Sequence, residues 1–138
     1  MRCVLTLVTI VFLMTACSSE SGKSPSAVKV EVVATEHGYT LLRGGEPYTV
    51  KGAGMVVDDI ERFAAHGGNS IRTWSTNWEG QDTQALLDMA HTHGVTVALG
   101  LSMEPERRGC DYDDAEAVAA QLELMRPAVL QYRAHPAL

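Results

Sequence analysis

The chain has 138 residues, a length that suits one small domain. Its 17 acidic side chains outnumber 11 basic ones and give a net charge of −6 at pH 7, which argues against nucleic acid or anionic lipid as a binding partner. Three cysteines, widely separated, need no disulfide framework.

Met1 and Arg2 precede CVLTLVTIVFLMTA, an apolar run too short to span a bilayer comfortably as a permanent helix. It ends in MTAC, small residues directly before Cys17, which resembles the lipobox of bacterial lipoproteins although Met14 stands where leucine is usual. That resemblance implies a signal peptide over residues 1–16, lipidation of Cys17, and a protein exported and lipid-anchored to the cell envelope, at the outer membrane or the periplasmic face. The plainer alternative is an ordinary secretion signal followed by a chance cysteine. Cys3 would leave with the signal, and Cys110, with no histidine or basic pair beside it in sequence, reads as a bystander thiol.

Residues 17–27 are small, polar and without apolar period, as a flexible tether would be. VKVEVV then alternates valine with charge, and YTLLRGGEPYTVKG gives two short strand-like runs around Gly44 and Gly45, a hairpin. From Tyr48 a repeating unit begins. YTVKGAGM reads as a strand, and VDDIERFAAHGG as a short helix capped by Asp58 or Asp59 and closed by Gly67 or Gly68. NSIRTW is the next strand. Asp82 starts a second helix with Ala85, Leu86, Met89 and Ala90 on one face, ending at Gly94. VTVALGLS follows as a nearly continuous apolar run, the pattern of a strand covered on both faces.

The loop MEPERRGCDYDD leads to a third helix in which Val118, Leu122, Met125, Val129 and Tyr132 recur at spacings of four and three, a stripe expected to face a sheet. Pro127 is expected to kink or split that helix. Three strand-helix units at a pitch of roughly 25 residues imply parallel strands joined by crossovers, in a barrel or a doubly wound sheet.

In a parallel α/β fold, functional groups sit at the carboxyl ends of strands. These ends are Gly54 and Met55, then Arg72 and Trp74 with the WSTNW loop, then Ser102 to Glu106. Strand alternation puts Ser70, Arg72 and Trp74 on one face, so a guanidinium is aimed at a barrel interior or crevice, where a carboxylate partner is expected. Arg72 could equally be a structural ion-pair residue. Trp74 and Trp78 with Asn77 between them offer flat apolar faces and an amide, which suit a sugar ring, though indoles capping a core would look the same. His91 and His93 would lie about 200° apart on a helix, unsuited to one-face metal binding. DYDDAE lacks the glycine and distant glutamate of a calcium loop and reads as a solvated helix start. GAGMVV has only half of a dinucleotide fingerprint, and no P-loop, GxSxG or CxxC occurs, so no cofactor and no metal is expected.

Taken together, KGAGM after a hairpin, GGNSIRTW, LLDMAHTHGVTVALGL, the ERRGCDYDD loop and VLQYRAHPAL resemble, in order, the start of the catalytic barrel of glycoside hydrolase family 2 and its clan of retaining glycosidases. The likeness covers residues 40–138. It implies an eight-stranded TIM barrel that cleaves O-glycosidic bonds of poly- or oligosaccharides with two glutamates, an acid/base after the fourth strand and a nucleophile after the seventh. The clan's second-strand arginine sits beside the nucleophile, and Arg72 matches that place; Arg72, Trp74, Asn77, Trp78 and Glu104 are the residues expected to bind a carbohydrate substrate. No residue of this chain matches either catalytic glutamate, because HPAL falls where the fourth strand is expected to begin. The expectation is therefore an α/β chain in which residues 28–138 form a hairpin and the first three strand-helix units of a partial (β/α)8 barrel, inactive by itself. A non-catalytic carbohydrate-binding surface lipoprotein is the alternative, and an unrelated α/β binding protein a third reading.

Overall fold

The computed structural model describes residues 26–54, 59–76, 80 and 82–138. The expected signal over residues 1–16 and the lipidation of Cys17 lie outside these residues, as do most of the tether, Met55, Asp58, Asn77 and Trp78. Among the described residues no helix is long and apolar enough to cross a membrane. The described residues form a mixed α/β architecture with two small sheets and three α-helices.

The first sheet is antiparallel, in the order β1 (Val30–Thr35), β2 (Gly38–Arg43), β3 (Glu46–Pro47). Gly44 and Gly45 have φ of 62° and 90°, the left-handed pair that a two-residue hairpin needs, so the expected turn is the one joining β2 to β3. A second hairpin joins β1 to β2, with Val32 opposite Leu41 and Ala34 opposite Tyr39. Its turn is organised by the Thr35 hydroxyl, which accepts from His37 N and donates to Gly38 O.

The second sheet is parallel and strictly sequential, β4 (Gly52–Gly54), β5 (Ser70–Arg72) and β6 (Thr96–Ala98), with Ala53, Ile71 and Val97 in one row across it. The crossovers are α1 (Ile60–Ala65) and α2 (Thr83–Thr92). Ile60, Ile71, Leu86, Leu87, Ala90, Val95, Val97, Tyr132 and Ala137 make one buried cluster, so both helices and the end of the last helix cover the Ile71–Val97 face. The opposite face carries Gly52, Gly54, Ser70, Arg72 and Ala98 and lines an open trough. The expectation that the third strand is covered on both faces is therefore wrong: Val97 is buried but its neighbour Ala98 is exposed. Alanine and glycine at these positions give an apolar run without a second layer to fill it.

Local differences have physical causes. β4 begins at Gly52, later than expected, because the preceding segment is used as a clamp. Asn69 accepts from Lys51 N (2.7 Å) and donates to Thr49 O (2.9 Å), while the Tyr48 hydroxyl donates to Asn69 O (2.7 Å) beside Thr96. Asp59 stands at the start of α1 but caps nothing with its side chain, since its carboxylate pairs with Arg62. Asp82 caps α2 as expected, accepting from Gln84 N and Ala85 N. The buried face of α2 is Thr83, Leu86, Leu87 and Ala90; Ala85 and Met89 are exposed, a rotation of the expected stripe by about one position. Leu87, 0% exposed, replaces Met89, 44% exposed, because the bulkier branched pair at 86–87 takes the centre of the interface.

The third helix, α3 (Ala115–Tyr132), starts at the Asp114 cap and runs unbroken through Pro127. The expected split does not occur: the carbonyl deprived of a partner belongs to Glu123, which is exposed and open to water. The expected sheet-facing stripe is also corrected, for only Tyr132 is buried while Leu122 and Val129 are exposed. After α3 the chain turns back onto the sheet. Val97 N donates to Ala137 O (2.8 Å), so Ala137 lies against the edge of β6 that β5 leaves free.

Candidate functional site

β5 ends the row that matters. Its alternation sends Ile71 into the core and Arg72 onto the uncovered face, and Thr73, buried, points back under the sheet. The Arg72 guanidinium carbon stands 4.8 Å from the centroid of the Trp74 ring, a cation–π stack at the carboxyl end of the strand. Trp74 is 57% exposed and stands outside the buried cluster, so the core-capping alternative does not describe it. Arg72 is exposed, and among the described residues no carboxylate lies within ion-pair distance of it.

The loop after β6 supplies the facing wall. Gly100 presses against the turn after β5: its N–H donates to the Thr73 hydroxyl (2.9 Å), and a Cβ built on it would lie 2.5 Å from both Thr73 O and the Trp74 carbonyl carbon. From there the chain passes Ser102, Met103 and Glu104 into a 3-10 turn over Glu106–Arg108, closed by Gly109 at φ 102°. Gln121 of α3 pins this loop at two points, accepting from Glu104 N (2.8 Å) and donating to the Cys110 sulfur. Tyr112 adds a hydroxyl bond to Glu104 O. Cys110 is thus a half-buried acceptor on the loop.

An open hollow of about 840 Å3 results, and Arg72, Trp74 and Glu104 all line it. Of the three strand ends named by sequence reasoning, the second and third line this hollow; Met55, Asn77 and Trp78 lie outside the described residues. Sequence reasoning missed Arg107, Arg108, Gln121 and Leu124 on the same wall. Arg107 and Arg108 were legible as a basic pair in the loop after the third strand. Gln121 and Leu124 gave no signal, since they reach the hollow only through the way α3 packs. The Glu104 carboxylate lies 4.0 Å from the Arg108 guanidinium.

Elsewhere the polar clusters serve structure. His135 Nε2 is 3.0 Å from an Asp88 carboxylate oxygen, and this bond, reinforced by one from Gln84, holds the Asp88 carboxyl below the usual carboxylate range. His135 Nδ1 accepts from Ala137 N, so its Nε2 carries the proton given to Asp88. His91 stands edge-on to His135, their rings 6.3 Å apart. Among the described residues no three His, Cys, Asp or Glu side chains gather in metal-binding geometry. The hollow therefore offers an indole face, guanidinium donors and one carboxylate. That set can bind a polar ring, but a single carboxylate does not make an acid/base pair. Compared with models of protein families and with curated proteins, the chain gives no match.

Proposed function

We propose that this chain is the amino-terminal part of an exported, lipid-anchored retaining glycoside hydrolase of TIM-barrel type, with Arg72, Trp74 and Glu104 on its substrate-binding rim. The observation that carries the reading is the parallel sheet: strand order is strictly sequential, and α1, α2 and the end of α3 cover one face, leaving Arg72 on the other. One half of a doubly wound sheet is also sequential with its helices on one face, and differs only when later strands reverse the order. A sheet that winds one way with one face uncovered is what the wall of a barrel looks like from three strands. Ala137 beside β6 continues the same direction, at the place a fourth strand would take.

In this reading the Arg72 guanidinium awaits the carboxylate of the nucleophile, contributed by a later strand, and orients it by paired N–H donation. Trp74 stacks on a sugar ring, and Glu104 accepts from sugar hydroxyls. Retaining hydrolysis needs one carboxylic acid to protonate the leaving oxygen and one carboxylate to attack the anomeric carbon, about 5 Å apart, and neither is assigned to a residue of this chain. No cofactor enters the mechanism. The test is turnover of aryl glycosides by the complete gene product and by residues 18–138 alone. Hydrolysis by the complete product only is expected; hydrolysis by residues 18–138 would refute the division of labour, and hydrolysis by neither would refute the enzyme.

The second reading is a non-catalytic carbohydrate-binding surface lipoprotein, favoured by the exposed indole in a hollow with one carboxylate. A reading frame that continues past Leu138 into a strand ending in Asn-Glu decides for the enzyme.

A further inference from the structure

We propose that the saccharide bound at this hollow is acidic, bearing a carboxylate or sulfate, and that Arg107 is the residue that selects it. The inference rests on the saccharide reading above and deepens it.

The charge of the hollow runs against that of the chain. A protein of net charge −6 lines this one hollow with three guanidinium groups, Arg72, Arg107 and Arg108, against the single carboxylate of Glu104. Glu104 engages Arg108 at 4.0 Å. Arg72 stacks on Trp74, and the proposed function reserves it for a carboxylate of the protein. Arg107 remains, exposed, on the hollow wall and with no carboxylate in ion-pair range among the described residues. Arg62 pairs with Asp59 and Arg126 with Glu123, each one turn away, while among the described residues Arg133 at the end of α3 is, like Arg107, exposed and in no ion pair.

The position of Arg107 is set by the turn it sits in and by hydrogen bonds to the loop around it. It is the middle residue of the 3-10 turn, which Gly109 closes and which Gln121 and Tyr112 fasten to the rest of the loop through Glu104 and Cys110. A guanidinium presents parallel N–H donors that match a carboxylate or sulfate two-to-two, whereas hydroxyls of a neutral sugar use them singly. With the Trp74 indole lining the same hollow for the apolar side of the ring, the wall can hold a uronic acid or a sulfated sugar by ring and anion at once.

The experiment is calorimetric titration of the complete gene product with an oligogalacturonate, a sulfated oligosaccharide and a neutral oligosaccharide of equal length, repeated for Arg107→Gln and Arg107→Lys. The inference predicts that at least one acidic ligand binds more tightly than the neutral one. It also predicts that Arg107→Gln weakens that ligand about tenfold and the neutral one much less, and that Arg107→Lys restores part of the loss. Which acidic ligand responds identifies the anion. Equal affinity for acidic and neutral ligands, or equal loss of both in Arg107→Gln, overturns the inference. A product that hydrolyses neutral aryl glycosides yet rejects both acidic ligands overturns it and leaves the glycosidase reading standing. A product that binds and hydrolyses nothing overturns both.

Discussion

Replacing Gly100 by alanine should both destabilise the protein and move Trp74. Gly100 has no unusual φ, so its backbone would accept alanine; the obstacle is contact alone. A Cβ there would lie 2.5 Å from Thr73 O, 2.5 Å from the Trp74 carbonyl carbon and 2.7 Å from Trp74 O, and real Cβ contacts do not fall under 3.0 Å. The loop after β6 and the turn after β5 must therefore part by at least 0.5 Å, the gap between those two distances, and both partners are backbone that cannot rotate away. The Gly100 N–H bond to the buried Thr73 hydroxyl, 2.9 Å, stretches with the same movement. Overpacking of this kind costs about 1–3 kcal/mol. Urea unfolding followed by fluorescence suits the question, because Trp74, one of the chain's two tryptophans, lies on this turn. The expected result is a lower midpoint with unchanged slope, and a shifted native emission spectrum. Stability within about 0.5 kcal/mol of the parent and an unaltered spectrum would refute the close approach on which the site's shape depends.

Leu87→Ala, at a fully buried position of α2, should cost about 2–5 kcal/mol by the same unfolding assay, whereas Met89→Ala should cost far less, and equal losses would contradict the orientation of that helix. Asp88 gives a pH dependence of known sign. Its carboxyl titrates lower in the folded protein than in the unfolded chain, so its contribution is fully present above the ordinary carboxylate range and is lost as pH falls through the lowered folded value. Thermal melts across that acid range should therefore fall less steeply for Asp88→Asn than for the parent, and parallel curves would remove the His135 bond from the account. Trp74→Ala should weaken oligosaccharide binding by the complete gene product about tenfold in a titration, and unchanged affinity would take the indole out of the site.

The local grammar of the chain was legible because its signals are local. Gly44 and Gly45 mark a hairpin, Asp82 caps a helix, DYDDAE marks a helix start, and the alternation of Ser70, Ile71 and Arg72 divides core from open face. What the sequence concealed depends on partners distant in the chain. A stripe through Leu122 and Val129 announces an apolar face but cannot say whether anything covers it. On α2 the adjacent leucines leave the stripe's centre ambiguous by one position, and only packing against Ile71 and Val97 chooses. The Tyr48–Asn69 clamp joins residues 21 apart through one side chain each, with no motif to announce it. Around the hollow, strand ends pointed to Arg72, Trp74 and Glu104, whereas Arg107 was passed over because charged loops are usually solvated rather than gathered around a hollow.

A crystal structure of the complete gene product would examine the Arg72 guanidinium directly. The account predicts that the uncovered face of the β4–β5–β6 sheet becomes the inside of a closed barrel, with a glutamate from a later strand within ion-pair distance of Arg72 and a second carboxylate across the same pocket. A guanidinium left to Trp74 and water, on a sheet that never closes, would contradict it.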